Sequence, residues 1–449
     1  MMTILAVDLG TSALKTGVYH FKNDEYTLIR NFSQDYRVNT YNNGQYSDIE
    51  PGKWQQAFMD SVRALGEFMP EVDLVALSGT TPGLNAMDGE GNSLYPAILM
   101  TDQRSRLQAR RIIEIMSLDY LLSTTGNMPV AGGCSLASIL WIKDNHPEIF
   151  KRTAVFGHSN TFLAKWLTGR FCIDPSSASL TALYNTVSYD FDWNRDICKE
   201  FDLSVNRLPS VIPAYASAGR VKDSISATMG MRKRPEVLIG GNDAVLAAYS
   251  SGVQEAGQII NVNGTCEITL VCLPKCYPSQ NYNVRTHVIP GRWLTLYVMN
   301  AEGAAFEWFR SVFCADMNQD EFYKSFMPRA VDEWLTKESD TKYIPFLMGS
   351  RYSQDDLKAQ FLGLTSGTTR EELLAALVRG LCEYQGKHLD DISQRVPLRE
   401  EIIVAGGATS PSLVRAKENW MRRCRYVYRE HSSLEGTAIL ARLFESEVC

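Results

Sequence analysis

The stretch Ile4-Leu5-Ala6-Val7-Asp8-Leu9-Gly10-Thr11-Ser12-Ala13-Leu14-Lys15-Thr16-Gly17-Val18-Tyr19 sets two apolar, β-rich runs on either side of a Gly-Thr-Ser turn. Runs joined by so short a polar turn predict a β-hairpin. The pattern returns at Ile259-Ile260-Asn261-Val262-Asn263-Gly264-Thr265-Cys266-Glu267-Ile268-Thr269-Leu270-Val271. Superposing Gly10-Thr11-Ser12 on Gly264-Thr265-Cys266 puts Leu5 and Ala6 on Ile259 and Ile260, and Leu14 on Ile268. A helix-rich stretch follows each copy. Repetition of one supersecondary unit at this distance suggests an ancient duplication. A chance likeness between two hairpins is the alternative.

Working outward, residues 51–69 start at Pro51 and carry Trp54, Ala57, Phe58, Val62 and Leu65 at a helical period. Asp73-Leu74-Val75-Ala76-Leu77-Ser78-Gly79 then reads as a buried strand ending in a polar loop. Strands and helices that alternate in this way argue for an α/β fold. Two related α/β domains are expected, at residues 1–235 and 236–449. Met231-Arg232-Lys233-Arg234-Pro235 suits an exposed, solvated connection between them better than a basic binding patch.

The chain has 449 residues, enough for two or three domains at about 150 residues each. Hydrophobic residues make up 45% and charged residues 21%, which excludes a wholly disordered chain. The 45 Lys and Arg against 51 Asp and Glu give a net charge of −6, so no nucleic-acid or anionic-membrane footprint is expected. No apolar run approaches the ~18 residues of a membrane span. The opening MMTILAVDLG lacks a basic region, and Asp8 breaks its apolar run, so a secretory signal is not expected. The ten cysteines form no C-x-x-C pair, and Cys266, Cys272 and Cys276 have no histidine neighbours. Buried thiols in a reducing cytoplasm are expected rather than structural zinc.

Three glycine turns can carry chemistry: Asp8-Leu9-Gly10-Thr11-Ser12, Gly264-Thr265, and Gly406-Gly407-Ala408-Thr409-Ser410-Pro411 after the strand Ile402-Ile403-Val404-Ala405. Glycine lets backbone N–H groups approach a phosphate or an adenine, and a helix after such a turn offers further N–H groups. Neither a G-x-x-x-x-G-K-[ST] P-loop nor a G-x-G-x-x-G after the first strand is present. Asp8 ends an apolar strand, where a carboxylate needs a partner. It is read either as a water-mediated Mg²⁺ contact or as a cap for the following turn. Lys15 either reaches a phosphate or faces solvent. Asp243, in Val237-Leu238-Ile239-Gly240-Gly241-Asn242-Asp243-Ala244, falls where a strand gives way to a helix, at the carboxyl end where open α/β sheets bind ligands. It is read as the base for a hydroxyl nucleophile, with a helix N-cap as the alternative. Thr80 and Thr81, with Asp102 and Arg104, suit a polyhydroxy compound. For the Asp102–Arg104 pair a plain salt bridge is the alternative.

These pieces, in this order, resemble the FGGY family of carbohydrate kinases over nearly the whole chain. Asp8–Ser12 resembles its first phosphate motif, and Gly240-Gly241-Asn242-Asp243 its catalytic segment. The segments 135–145 and 363–383 resemble its two signatures, with Ser138 where a lysine is usual. Gly264-Thr265 and Gly406-Gly407-Ala408 resemble the second phosphate and adenosine motifs, and 303–308 a further nucleotide-side element that includes Gly303 and Glu307. The resemblance implies two actin-like (ribonuclease-H-like) domains closing on ATP in a catalytic cleft. Asp243 would be the base for a sugar or polyol hydroxyl. Asp8 would act through Mg²⁺, with Asp243 as a second metal-side carboxylate. Gly10, Thr11, Ser12, Lys15, Gly264, Thr265, Gly303, Glu307, Gly406, Gly407, Ala408 and Ser410 would serve the nucleotide. Thr80, Thr81, Asp102 and Arg104 would serve the substrate.

Asp102-Gln103-Arg104 and Tyr189-Asp190-Phe191-Asp192-Trp193 resemble the xylulokinase-like branch. Thr80-Thr81-Pro82 stands where that branch usually carries Gln-Met-His, and Gly349-Ser350-Arg351 lacks the glutamate common there. A pentulose such as xylulose is the first expectation for substrate; another polyol, a sugar acid or a deoxy sugar is the alternative. A silent sugar- and nucleotide-binding regulator is the alternative of another class. A homodimer is expected from the resemblance alone.

Overall fold

The computed structural model describes the chain except residues 24, 351, 354–356, 408, 409, 431 and 449. It forms two compact units. The first comprises Met1–Gly252, Lys275–Trp293 and Ser432–Cys449; the second comprises Val253–Pro274 and Leu294–His431.

In the first unit the expected hairpin is present. Met2–Leu9 pairs antiparallel with Ala13–Lys22, and Gly10 N–H closes the turn onto the Ala13 carbonyl at 2.9 Å. Glu25–Asp35 extends the hairpin on one side. On the other side Leu74–Gly79 runs parallel to Met2–Leu9, and Glu236–Asn242 runs parallel to Leu74–Gly79. In the second unit Ile259–Asn263 pairs antiparallel with Glu267–Leu273, with Trp293–Met299 next in the sheet. Glu401–Gly406 then runs parallel to Ile259–Asn263, and Arg425–Tyr428 runs parallel to Glu401–Gly406. With one edge strand of each six-stranded sheet set aside, the remaining five share the order third–second–first–fourth–fifth. That common order is the architectural counterpart of the sequence repeat.

The local reasons are visible in the packing. The helix Gly52–Ala64 buries Trp54, Ala57, Phe58 and Val62 against the first sheet, as its period requires. It ends earlier than expected: Gly66 and Pro70 fall in a separate short 3₁₀ turn, Gly66–Glu71. A small five-stranded sheet, built from Asn39–Tyr41, Tyr46–Ile49, Ala97–Leu99, Gly83–Met87 and Val155–Gly157, carries the loops around Thr80 and Asp102.

The expected domain division after residue 235 does not follow this packing. Glu236–Asn242 is a strand of the first sheet, so the Gly240-Gly241-Asn242 segment stays with the first unit. Met231–Pro235 accordingly links the helix Asp223–Thr228 to that strand inside one unit. Its Lys233 pairs with Asp73 and its Arg234 with Asp223. Two later segments return to the first unit for specific reasons. Asn127 brackets Val284, donating to its carbonyl and accepting from its N–H, both at 2.8 Å. The C-terminal helix Ser433–Val448 packs on the helix Asp243–Ser250 and on Met2–Leu9. No described helix is long and apolar enough to cross a membrane.

In the second unit His388 is buried, stacked on Tyr297 with ring centroids 4.4 Å apart, and 3.1 Å from the Thr295 hydroxyl. Burial pushes its pKa down to about 3. The unfolded chain takes up this proton near pH ~6.5 and the folded chain only near 3, so stability is lost as pH falls between those values. The urea midpoint is expected to fall over this window in the native protein. It should fall less steeply in His388→Gln, which has no proton to take up. Equal slopes would refute the assignment.

Candidate active site

Three parallel-paired strands of the first unit end side by side. In register, Asp8 lies opposite Ser78, Gly241 opposite Ser78, and Asn242 opposite Gly79. The carboxyl ends of such strands are where α/β sheets hold ligands. Asp8 is 4% exposed. Its two oxygens accept the hydroxyls of Ser78, at 2.8 Å, and of Ser433, at 2.6 Å. These partners meet the need of a buried carboxylate for compensation. Neither serine was singled out from sequence; Ser433 is 425 residues away in the chain.

Asp243 opens the helix Asp243–Ser250, but it is not the cap. Asn242 is: its side-chain oxygen accepts the N–H groups of Ala244 and Val245 at 3.1 and 3.3 Å. The Asp243 carboxylate is held separately. One oxygen accepts the Thr80 hydroxyl at 2.9 Å, and the other accepts Asn242 Nδ2 at 2.8 Å and Ala244 N–H at 2.7 Å. Burial, and then the negative charge of Asp8, raise its pKa above the usual carboxylate value; Arg285, Thr80 and the Ala244 N–H oppose the shift. A weakened acid of this kind makes a stronger base once deprotonated.

The segment around Asp243 is braced from behind. Asn242 N–H donates to Ser176 Oγ at 3.0 Å, and the Asp174 carboxylate binds the Ser176 hydroxyl together with the N–H groups of Ser176 and Ser177 at 2.8 and 3.1 Å. Thr81 is buried and receives Asn242 Nδ2 at 3.1 Å and Arg285 Nη1 at 3.4 Å. Arg285 is 3% exposed and was missed in the sequence. Its signal is a lone cation within a short strand-like stretch, Asn283-Val284-Arg285-Thr286.

A small hollow opens beside this group, lined among others by Gly10, Thr11, Trp54, Thr80, Pro82 and Met100. Thr11, Ser12 and Lys15 are exposed on the hairpin, and Lys15 lies opposite Asp8 in register. Tyr36 secures the turn: its hydroxyl donates to the Gly10 carbonyl and its N–H to the Ser12 carbonyl at 2.9 Å.

Asp102 and Arg104 are placed differently from the expectation for the substrate. Both side chains are 0% exposed. Arg104 binds Asp102 at 2.8 Å and Asp48 at 2.9 Å, and it also donates to the hydroxyls of Tyr95 and Tyr41. The rings of Tyr46 and Trp141 lie against the guanidinium. Asp102 further accepts the N–H groups of Ser47 and Arg104. Its charges are paired as in the salt bridge named above as the alternative. Breaking such a buried pair by removing one partner costs about 3–5 kcal/mol.

In the second unit the turn Gly264-Thr265 is exposed and closed by Gly264 N–H on the Cys266 carbonyl at 3.0 Å. Gly303 packs on it so closely that a Cβ would lie 2.6 Å from the Gly264 carbonyl oxygen. Gly406 lies opposite Asn263 in register, and Gly407 is exposed with open space around it. Ser410 caps the helix Pro411–Trp420 through Leu413 N–H at 3.3 Å. Glu307 is tied to Arg310 at 2.9 Å and to the Tyr323 hydroxyl at 3.3 Å. Ala408, and Arg351 of the altered Gly-Ser-Arg segment, lie outside the described residues.

Residues 3–250 match the model of the N-terminal domain of the FGGY family of carbohydrate kinases. The matched segment ends with the helix that Asp243 opens. A xylulose kinase of Staphylococcus xylosus is 26% identical over 416 residues, covering 91% of this chain and 83% of the relative. A xylulose kinase of Bacillus subtilis (strain 168) is 25% identical over 394 residues, covering 85% and 75%. Among solved structures, a xylulose kinase from Rhodospirillum rubrum superposes with a TM-score of 0.88 at 18% identity, covering 98% of this chain and 89% of that one. A gluconate kinase from Lactobacillus acidophilus superposes with a TM-score of 0.89 at 17% identity, covering 99% and 90%. These likenesses establish the fold of two ribonuclease-H-like domains.

Proposed function

Because the chain belongs to the FGGY family of carbohydrate kinases, we propose that it transfers the γ-phosphoryl group of ATP to a hydroxyl of a pentulose, with xylulose as the substrate. The observation that carries the reading is the Asp243 carboxylate, held at the sheet's carboxyl end beside Thr80 and a small hollow. The similarity to xylulose kinases along most of the chain supports the choice of sugar.

In this reading Asp243 accepts the proton of the attacking hydroxyl. Thr80 orients the carboxylate, and Thr11, Trp54 and Met100 shape the space for the sugar. The exposed turns Gly264-Thr265 and Gly406-Gly407 of the second unit would meet the nucleotide, with open space around Gly407. The two carboxylates Asp8 and Asp243 suit Mg²⁺, which takes one or two carboxylates and fills its other positions with water and phosphate oxygens. They would hold the ion, which supplies charge neutralisation to the transferred phosphoryl group when bound. The protein's own part is positioning, which phosphoryl transfer chiefly requires.

The test is ADP release from Mg-ATP across a panel of pentuloses, hexuloses, aldoses, polyols and sugar acids. Xylulose is expected to give the highest kcat/KM. A different best substrate would overturn the sugar assignment. Flat rates across the panel with ATP still bound would overturn transfer to any of these compounds.

A further inference from the structure

The helix Pro411–Trp420 turns a lysine into the second unit. Lys417 is 3% exposed, and its Nζ binds Glu267 and lies 3.0 Å from Asn261 Oδ1 and 3.3 Å from Glu302 Oε1. The Glu267 and Glu302 side chains are 1% and 2% exposed. Asn261 closes the cluster by donating to Glu267 at 2.8 Å. Two carboxylates against one ammonium do not balance if all three are ionised. Burial and the charge of Glu267 raise the Glu302 pKa well above the usual carboxylate value, and Lys417 opposes the shift.

The three groups come from three segments. Glu267 lies two residues beyond Thr265. Glu302 directly precedes Gly303 and the helix Gly303–Phe313. Lys417 is in the helix that follows Gly406-Gly407. The backbone after Asn300 also clasps the glycine turn: Glu302 N–H and Ala304 N–H donate to the Thr265 carbonyl at 3.0 and 3.4 Å, and Gly303 N–H donates to the Gly264 carbonyl at 3.0 Å. With those carbonyls engaged, the turn does not present them to an anion.

A buried ion cluster is a poor source of net stability, since apolar replacements often do as well. Its attested use is to fix one arrangement among several. We propose that Glu267, Glu302 and Lys417 are positioning residues for the nucleotide: their cluster locks the Gly264-Thr265 turn, the start of the helix Gly303–Phe313 and the helix Pro411–Trp420 into one preformed cradle. The proposal rests on reading the second unit's glycine turns as the nucleotide site.

The test uses the full-length variants E267Q/K417M, K417M and T265D. Mg-ADP binding is followed by calorimetry, and KM is measured for ATP and for the sugar. E267Q/K417M removes one charge of each sign, so it leaves the charge of the cluster unchanged. It is expected to weaken ADP binding and raise the ATP KM about tenfold, while kcat and the sugar KM change less than about twofold. K417M alone leaves Glu267 buried without its cation and is expected to be the least stable; the double variant carries the test if K417M does not fold. Native ADP affinity in a folded E267Q/K417M protein would overturn the proposal. So would its failure to fold, which would make the cluster a support of the fold. T265D separates the two readings by placing a carboxylate on the exposed turn. Native ADP binding by T265D would overturn the nucleotide reading itself. Loss in T265D with native binding in E267Q/K417M would overturn the positioning role alone.

Discussion

Asp243→Ala is expected to lower the rate of phosphoryl transfer by roughly 10²–10⁴-fold, the usual contribution of a general base. Sugar and nucleotide should still bind. The reason lies in how the carboxylate is held. Both oxygens accept hydrogen bonds from fixed donors, Thr80 on one side and Asn242 and Ala244 on the other. Its orientation is therefore settled before substrate arrives, and burial beside Asp8 makes it a stronger base than a free aspartate. Asparagine is a near-isosteric second replacement. Its oxygen can keep the Asn242 and Ala244 donors while its NH₂ group donates to the Thr80 hydroxyl, so it removes the base with little change of shape. Initial rates of ADP release, with calorimetric titration of sugar and nucleotide, separate chemistry from binding. Unchanged transfer in Asp243→Ala would remove Asp243 from the role of base.

Gly240→Ala is expected to cost the fold as well as the activity. Gly240 has φ +67°, and an added Cβ would lie 1.4 Å from the Leu77 carbonyl oxygen. The pairing of Glu236–Asn242 with Leu74–Gly79 shifts register between Leu238 and Gly241, so Gly240 sits at an irregularity that re-aims the strand end. A left-handed alanine costs about 1–2 kcal/mol, and overpacking against backbone adds about 1–3. The sum lowers Tm by roughly 3–8 °C in a unit of this size, and the displaced strand end carries Asn242 and Asp243 with it. Gly264→Ala is the control. Its nearest neighbour would be 3.7 Å away, so its Tm should stay within about 2 °C of native. Equal melting temperatures for Gly240→Ala and the native protein would refute the close packing at this turn.

Much of this was legible from residues alone. Period-two and period-3.6 apolar patterns are local, and they sufficed for the two hairpins, the helix from Gly52 and the strand at Leu74. The glycine turns and the Asp243 segment carry composition cues within a few residues of each other. The domain division was misplaced because Glu236–Asn242 is assigned by its pairing with Leu74–Gly79, and no local feature of the strand names its partner.

The partners of the site residues were not legible, for the same reason. Asp8 and Asp243 could be singled out as carboxylates at strand ends, but Ser433 and Arg285 reach that region from distant segments of the chain. Asp102 and Arg104 were visible as a pair, but their further partners Asp48, Tyr41 and Tyr95, and their burial, were not. Lys417 follows Leu413 by one helical turn on the buried face, yet its burial is tolerable only because Glu267 and Glu302 converge on it. Sequence by itself determined the strand-and-turn grammar, the family and the candidate carboxylates, because each depends on neighbours a few residues apart. Tertiary structure alone decided which charges are paired and which are left for chemistry, because burial and partners come from contacts between remote segments.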